Sequence, residues 1–159
     1  LLREAITKDI PVFAICRGMQ VANVLMGGSL LQHIEDFSHV PLRDAPDYDD
    51  RTSARHSVTA SGLLRELVGS EHIEVNPRHH QVVTPDRLAS GLEVIGTTHE
   101  GYIEAAVDPS KRFFLCVQWH PEREDAFIAR FDADSRKLFA AFAQAVEAYA
   151  AAQAAPATI

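Results

Sequence analysis

The chain is poor in the residues that build cross-linked or metal-held folds. It has two cysteines in 159 residues, at positions 16 and 116. No disulfide framework follows from them, and with one assigned below to chemistry they point to a reducing cytoplasm rather than secretion. Eight histidines are present, yet no C-x-x-C pair or H-E-x-x-H accompanies them, and adjacent histidines rarely hold one ion together. No metal or cofactor is expected. No apolar run approaches the ~20 residues of a membrane span, so no membrane partner is expected either. Basic residues are outnumbered, fifteen Lys and Arg against twenty-two Asp and Glu, for a net charge of -7. Phosphate contacts need clustered Lys and Arg, so nucleic acid is disfavoured as a partner. With 47% hydrophobic residues and no internal repeat, residues 1–159 read as one domain with a real core. Self-association is left open.

What the chain does have is a cysteine where a buried strand turns into a helix. Val12, Phe13, Ala14 and Ile15 form a short apolar run suited to a strand covered on both faces. Met19, Ala22, Leu25 and Met26 follow at helical spacing, and Gly27-Gly28 supply a stop. Cys16 falls at the junction, with Ala14 two residues before it and Gly18 two after. A strand-to-helix elbow around a strained nucleophile needs small residues there, because the two backbones approach closely. The helix N-terminus favours negative charge, which predicts a lowered Cys16 pKa. Alone, Cys16 reads equally well as a buried core cysteine.

A second feature lies a hundred residues on. Phe113 to Glu122 reads F-F-L-C-V-Q-W-H-P-E, an apolar strand ending in His120-Pro121-Glu122. A histidine past the end of a buried strand can reach a cysteine at the end of a parallel neighbour. Glu122, two residues on, can fix the imidazole in one tautomer. Cysteine, histidine and acid then make a nucleophile, a base and an orienter. Separately, His120 reads as a surface histidine and Glu122 as a solvated carboxylate.

Between these features, Ser29 to Ile34 suits a small strand or turn. Glu35 to Arg55 reads as a long surface loop rich in Asp, Pro and His. Asp44, Asp47, Asp49 and Asp50 within it lack the central glycine and closing Glu of a calcium loop. Strands are expected at Arg55–Ala60, Ile73–Val75, Leu92–Thr97, Tyr102–Val107 and Phe113–Trp119, with a short helix at Leu63–Val68. The last helix is expected from an N-cap at Asp134, with Leu138, Phe142, Val146 and Tyr149 as a core stripe, fraying from Ala150. The fold that fits is α/β: a central, mostly parallel sheet flanked by helices, with a smaller antiparallel section. Cys16 and His120 then both lie at carboxyl ends of strands, where open α/β sheets place their sites.

A-I-C-R-G-M-Q, N-P-R-H-H-Q at Asn76 to Gln81, and V-Q-W-H-P-E together resemble class I glutamine amidotransferase domains. The arginine in C-R-G and the paired histidines before Gln81 are similar to one branch, the gamma-glutamyl-gamma-aminobutyrate hydrolase family (peptidase family C26). The resemblance implies a three-layer, flavodoxin-like fold and a γ-glutamyl small-molecule substrate. By position it makes Cys16 the nucleophile, His120 the base and acid, and Glu122 its orienter. It matches Gln20 to a glutamine that contacts the γ-glutamyl group, and His79, His80 and Gln81 to a loop lining the same pocket. The backbone N–H of Arg17 follows independently as an oxyanion donor, being the residue after the nucleophile. Cys116 stands where the family usually has glycine and reads as an inert core thiol. His99-Glu100-Gly101 replaces a common Asp-Gly turn, which Gly101 can still close.

The chain opens on Leu1, inside a helix carrying Leu2 and Ile6 on one face. The resemblance implies an earlier section of strands and helices with a glycine-rich loop giving a second oxyanion donor. The sequence is therefore read as the C-terminal part of a longer hydrolase, its first strands missing. Gamma-glutamyl-gamma-aminobutyrate, and with it putrescine breakdown, is the substrate the resemblance implies. Two other readings stay open: a glutaminase domain passing ammonia to a synthetase partner, and a non-catalytic remnant that binds γ-glutamyl ligands.

Overall fold

The computed structural model describes residues 1–34, 55–76, 78–123 and 128–154. The acidic segment with Asp44, Asp47, Asp49 and Asp50 lies outside them. Among them, four α-helices and six strands follow in the order α1 (Leu2–Thr7), β1 (Val12–Ile15), α2 (Arg17–Leu25), β2 (His56–Ala60), α3 (Gly62–Val68), β3 (His72–Val75), β4 (Glu93–Thr97), β5 (Ile103–Val107), β6 (Phe114–Val117) and α4 (Phe131–Ala154). The strands form one sheet in the order β1-β6-β5-β4-β2-β3.

Side-chain alternation explains the layering. On β6, Leu115 and Val117 enter one core with Leu64 and Val68 of α3 and Phe131 and Leu138 of α4. Phe114 and Cys116 enter the other with Met19 and Ala22 of α2, against which Leu2 and Ile6 of α1 also pack. The β6 strand is therefore buried on both faces. This is the α/β arrangement that the sequence pattern anticipates, with helices on both sides of a sheet.

The balance within the sheet differs from the mostly parallel expectation. Among the described residues, β1 and β6 pair in parallel. The β2–β3, β2–β4, β4–β5 and β5–β6 pairs are antiparallel. The reason is local: β4 and β5 are joined by a hairpin whose turn closes at Gly101 (φ 88°), and hairpins force antiparallel neighbours. Among the described residues, the parallel ladder is confined to the two strands that lead to Cys16 and His120.

Two smaller expectations shift. The last helix starts at Phe131 rather than after Asp134, because Phe131 and Ile128 are both buried in the α3–α4 core. It continues to Ala154, beyond the expected fraying point. Its stripe is core only in part. Leu138 is buried and Phe142 stacks against Phe13 and Phe113, with ring centroids 6.0 and 5.9 Å away. Val146 is exposed, and Tyr149 lies under the Arg112 guanidinium at 5.2 Å. At the end of α2, Gly27 takes φ 99°. A Cβ on Gly28 would lie 2.6 Å from the Arg87 backbone carbonyl oxygen, so only glycine fits there.

Candidate active site

The elbow is present and strained. Cys16 takes φ 48°, ψ -103° between β1 and α2, near the strained γ-turn region that L residues avoid. Its N–H still continues the parallel ladder, donating to the Val117 carbonyl at 2.7 Å. Two residues later, a Cβ on Gly18 would sit 3.5 Å from that of Ala14. A methyl would be accommodated there, with little room for more.

The ladder register fixes what stands beside the sulfur. Ile15 pairs with Val117, so the next residues, Cys16 and Gln118, lie abreast. On the far side of β6, Gln118 N–H donates to the Glu104 carbonyl at 2.7 Å. Three strands thus line up Cys16, Gln118 and Glu104 in a row. Beyond the end of β6, His120 is held by Asn76: its N–H donates to Asn76 Oδ1 at 3.0 Å, and Asn76 Nδ2 donates to its carbonyl at 3.2 Å. Asn76 is buried, so this reciprocal pair clamps the backbone that carries the imidazole. The His120 Nδ1 lies 2.6 Å from Glu122 Oε1. With Nδ1–H donating to that carboxylate, Nε2 is left as the basic nitrogen.

Cys16, Arg17, Gln20, Arg78, His79, His80 and Gln81 line one open cleft of about 200 Å³. The sequence-predicted pocket residues are thereby brought together, although they differ in burial. Gln20 and His79 are buried, while His80 is exposed with its ring 6.4 Å from that of His33. Gln20 donates through Nε2 to the Gln81 carbonyl at 3.1 Å and to Gln118 Oε1 at 3.3 Å. His79 Nδ1 lies 3.2 Å from the same Gln81 carbonyl, and its Nε2 is 3.5 Å from Glu104 Oε1. Glu104, wholly buried, also approaches His56 Nε2 at 3.4 Å. A carboxylate between two imidazoles thus supports the cleft floor.

The expected lowering of the Cys16 pKa is not what this environment gives. Burial pushes the thiol above its ordinary value, and the negative charges of Glu122 and Glu104 add to the rise. The Arg17 backbone N–H and the Gln118 amide oppose it without overcoming it. The helix end supplies its donor as expected, but taking the sulfur out of water and facing it with carboxylates outweighs that donor. Cys116 is the more extreme case. It is wholly buried, and burial raises its thiol to about 12. Both cysteines are free.

Gln118, Glu104, His56 and Asn76 were given no role by the sequence reasoning. A signal exists for the first two: each is a polar residue in an otherwise apolar run, V-Q-W at the end of β6 and I-E-A-A-V along β5. Such a residue is tolerated only when its polar atoms are engaged.

Comparison with known proteins gives the family and the fold. The sequence model of the peptidase C26 family matches residues 1–122. A Mycobacterium tuberculosis protein, provisionally named a glutamine amidotransferase, is 39% identical over 155 residues, covering 96% of this chain and 46% of that protein. The gamma-glutamyl-gamma-aminobutyrate hydrolase of Escherichia coli K12 is 33% identical over 163 residues, covering 92% of this chain and 58% of the enzyme. The chain spans about half the length of the curated relatives it matches. Among solved structures, a glutamine amidotransferase from Methylobacillus flagellatus superposes with a TM-score of 0.65 at 14% identity, covering 92% of this chain and 66% of that one. At that identity the likeness is one of fold, the class I glutamine amidotransferase fold.

Proposed function

From the premise that the chain belongs to the peptidase C26 family, we propose that it carries the acyl-transfer site of a cysteine-dependent hydrolase of γ-glutamyl amide bonds. The observation that carries the reading is the strained Cys16 elbow, one parallel strand from a histidine whose Nδ1 is engaged by Glu122. In the resting site Cys16 is a neutral thiol, consistent with its raised pKa. His120 Nε2 takes the sulfur's proton, and the thiolate attacks the γ-carbonyl carbon, forming a C–S bond. The carbonyl electron pair moves to oxygen, where the Arg17 N–H is a donor. Collapse breaks the C–N bond as His120 protonates the leaving amine. Water then adds to the thioester and gives its proton to His120. The C–S bond breaks, glutamate leaves, and the proton returns to sulfur.

The substrate we propose is gamma-glutamyl-gamma-aminobutyrate, giving glutamate and γ-aminobutyrate in cytoplasmic putrescine breakdown. Its support is the 33% identity to the Escherichia coli enzyme of that name. The 39% identity to a protein named as an amidotransferase favours a second reading, a glutaminase that delivers ammonia to a synthetase. Release of γ-aminobutyrate from the dipeptide, measured without any partner protein and beside glutamine as a competing substrate, decides between them. Hydrolysis of glutamine alone, and only with a synthetase present, would reject the first reading.

A further inference from the structure

Gln118 is wholly buried directly after β6, a strand made only of apolar residues. Its amide has two different ends, and the surroundings decide which end faces the sulfur. That decision begins at a group with no ambiguity. The Gln81 backbone carbonyl can only accept, so the end of Gln20 lying 3.1 Å from it is the NH₂. The same nitrogen lies 3.3 Å from Gln118, so the atom it faces there is the acceptor, Oε1. The Gln118 NH₂ is left pointing away from Gln20, and it lies 3.5 Å from Cys16 Sγ. Hydrogen bonds anchored on one main-chain oxygen therefore end as a donor on the sulfur.

We propose that Gln118 is a donor that stabilises the Cys16 thiolate, and that Gln20 is the positioning residue that keeps its amide the right way round. The proposal deepens the reading of Cys16 as the nucleophile. A donor favours S⁻ over S–H, and a charge-assisted bond is worth about twice a neutral one. The sulfur needs such help. Glu104 on β5 and Glu122 beyond β6 oppose its ionisation. Among the described residues, Arg17 on α2, Arg78, His79 and His80 in the cleft wall, His56 against Glu104, and His120 after β6 are the other ionisable groups of the site. No proton leaves Gln118 in this scheme; it lowers the cost of the charge that forms when the sulfur's proton passes to His120. Gln20, matched by resemblance to a substrate contact, has its nitrogen committed to this relay.

The test reads the sulfur without turnover. Iodoacetamide alkylation of Cys16 is followed against pH by mass spectrometry in the 159-residue chain and its variants. Gln118→Glu keeps an oxygen for Gln20 and removes the donor, so the alkylation midpoint should rise by about one pH unit or more, with alkylation at pH 7 roughly tenfold slower. Gln118→Met removes the donor without adding charge and should slow alkylation about threefold to tenfold. Gln20→Leu frees the Gln118 amide to turn and should slow it about threefold. Where a substitution also opens buried Cys116, nuclear magnetic resonance of the unsubstituted chain decides instead. The Gln118 side-chain NH₂ signals should shift with the midpoint of the Cys16 thiol, with those of Gln20 following more weakly. Unchanged midpoints in folded variants, or a Gln118 NH₂ that stays still while Cys16 titrates, would overturn the proposal. A shifted midpoint in a protein that hydrolyses no γ-glutamyl amide would reject the hydrolase reading and leave the donor standing.

Discussion

Cys116 lies on β6 and Cys16 just past the end of the neighbouring β1, with Cys116 paired to Ala14, two residues before Cys16. Both thiols are pushed up by burial, so burial does not distinguish them. The difference is in what else reaches each sulfur. Cys116 has core on every side, with the Asp108 charge adding to the rise. Cys16 stands on a strained turn at a cleft wall, with donors from Arg17 and Gln118 and a carboxylate-held imidazole at the next strand end. In the proposed mechanism, reactivity on this sheet follows from donors, backbone strain and access. A low resting pKa is not needed when a base stands close enough to take the proton during attack.

The sharpest way to break that contrast is to remove the chemistry from one side of it. In a chain that turns over γ-glutamyl amides, Cys16→Ser should lower kcat by about 10⁴-fold or more, because an alcohol is a far poorer nucleophile than a thiolate. His120→Asn should be nearly as severe, since base and leaving-group acid are lost together. Full activity in His120→Asn, measured by glutamate release, would sink the mechanism.

The next effect compares the two sulfurs in one molecule. At pH 7 iodoacetamide should modify Cys16 at least about 10³-fold faster than Cys116, which is closed to reagent and held as a thiol. Peptide mass spectrometry of a partly alkylated sample gives the ratio directly. Because the Cys16 thiol is raised, its alkylation midpoint should lie above the ordinary 9.0, contrary to what a helix N-terminus alone suggests. Equal rates at the two positions would remove the comparison altogether.

Cys116 should instead appear in stability. Its folded-state pKa of about 12 stands above the ordinary 9.0. Between those values the folded chain keeps a proton that the unfolded chain has lost. The contribution is therefore fully present below pH 9 and is lost as pH rises toward 12, by about 1.4 kcal/mol per pH unit. Urea melts from pH 8.5 upward should show this slope, and Cys116→Ala should flatten it by that amount. An unchanged slope in the alanine variant would mean that Cys116 is hydrated in the native state.

What could be read from the sequence was whatever the chemistry keeps local. The C-R-G elbow and the H-P-E end are each a few contiguous residues, so Cys16, His120 and Glu122 could be singled out before any pairing was known. Gln118 and Glu104 show in the sequence only as polar residues in apolar runs, because their place beside the sulfur depends on the registers of β1 with β6 and of β6 with β5. Asn76 lies inside the N-P-R-H-H-Q motif, but its clamp on His120 spans 44 residues. The sequence shows the helix that would lower the Cys16 pKa, but not the burial of the residue that caps it, which raises it. The start of α4 moved for the same reason: Asp134 is a good local cap, but the burial of Phe131 is a tertiary fact.

The smallest expected effect is also the most discriminating, because Glu122 acts on Cys16 in two opposed ways. Its charge raises the thiol pKa, while its Oε1 holds His120 Nδ1 at 2.6 Å. Glu122→Gln removes the charge and keeps most of the shape. Thiolate should then form more readily, and alkylation of Cys16 at pH 7 should rise by about two- to threefold, a modest change because the carboxylate is 43% exposed and screened by water. Turnover should move the other way, falling about tenfold as His120 loses tautomer control and the stabilisation of its charged form. A merely structural role for Glu122 would shift both rates in the same direction. Alkylation and glutamate release measured on one preparation therefore separate the two, and a parallel fall in both would remove Glu122 from the proposed triad.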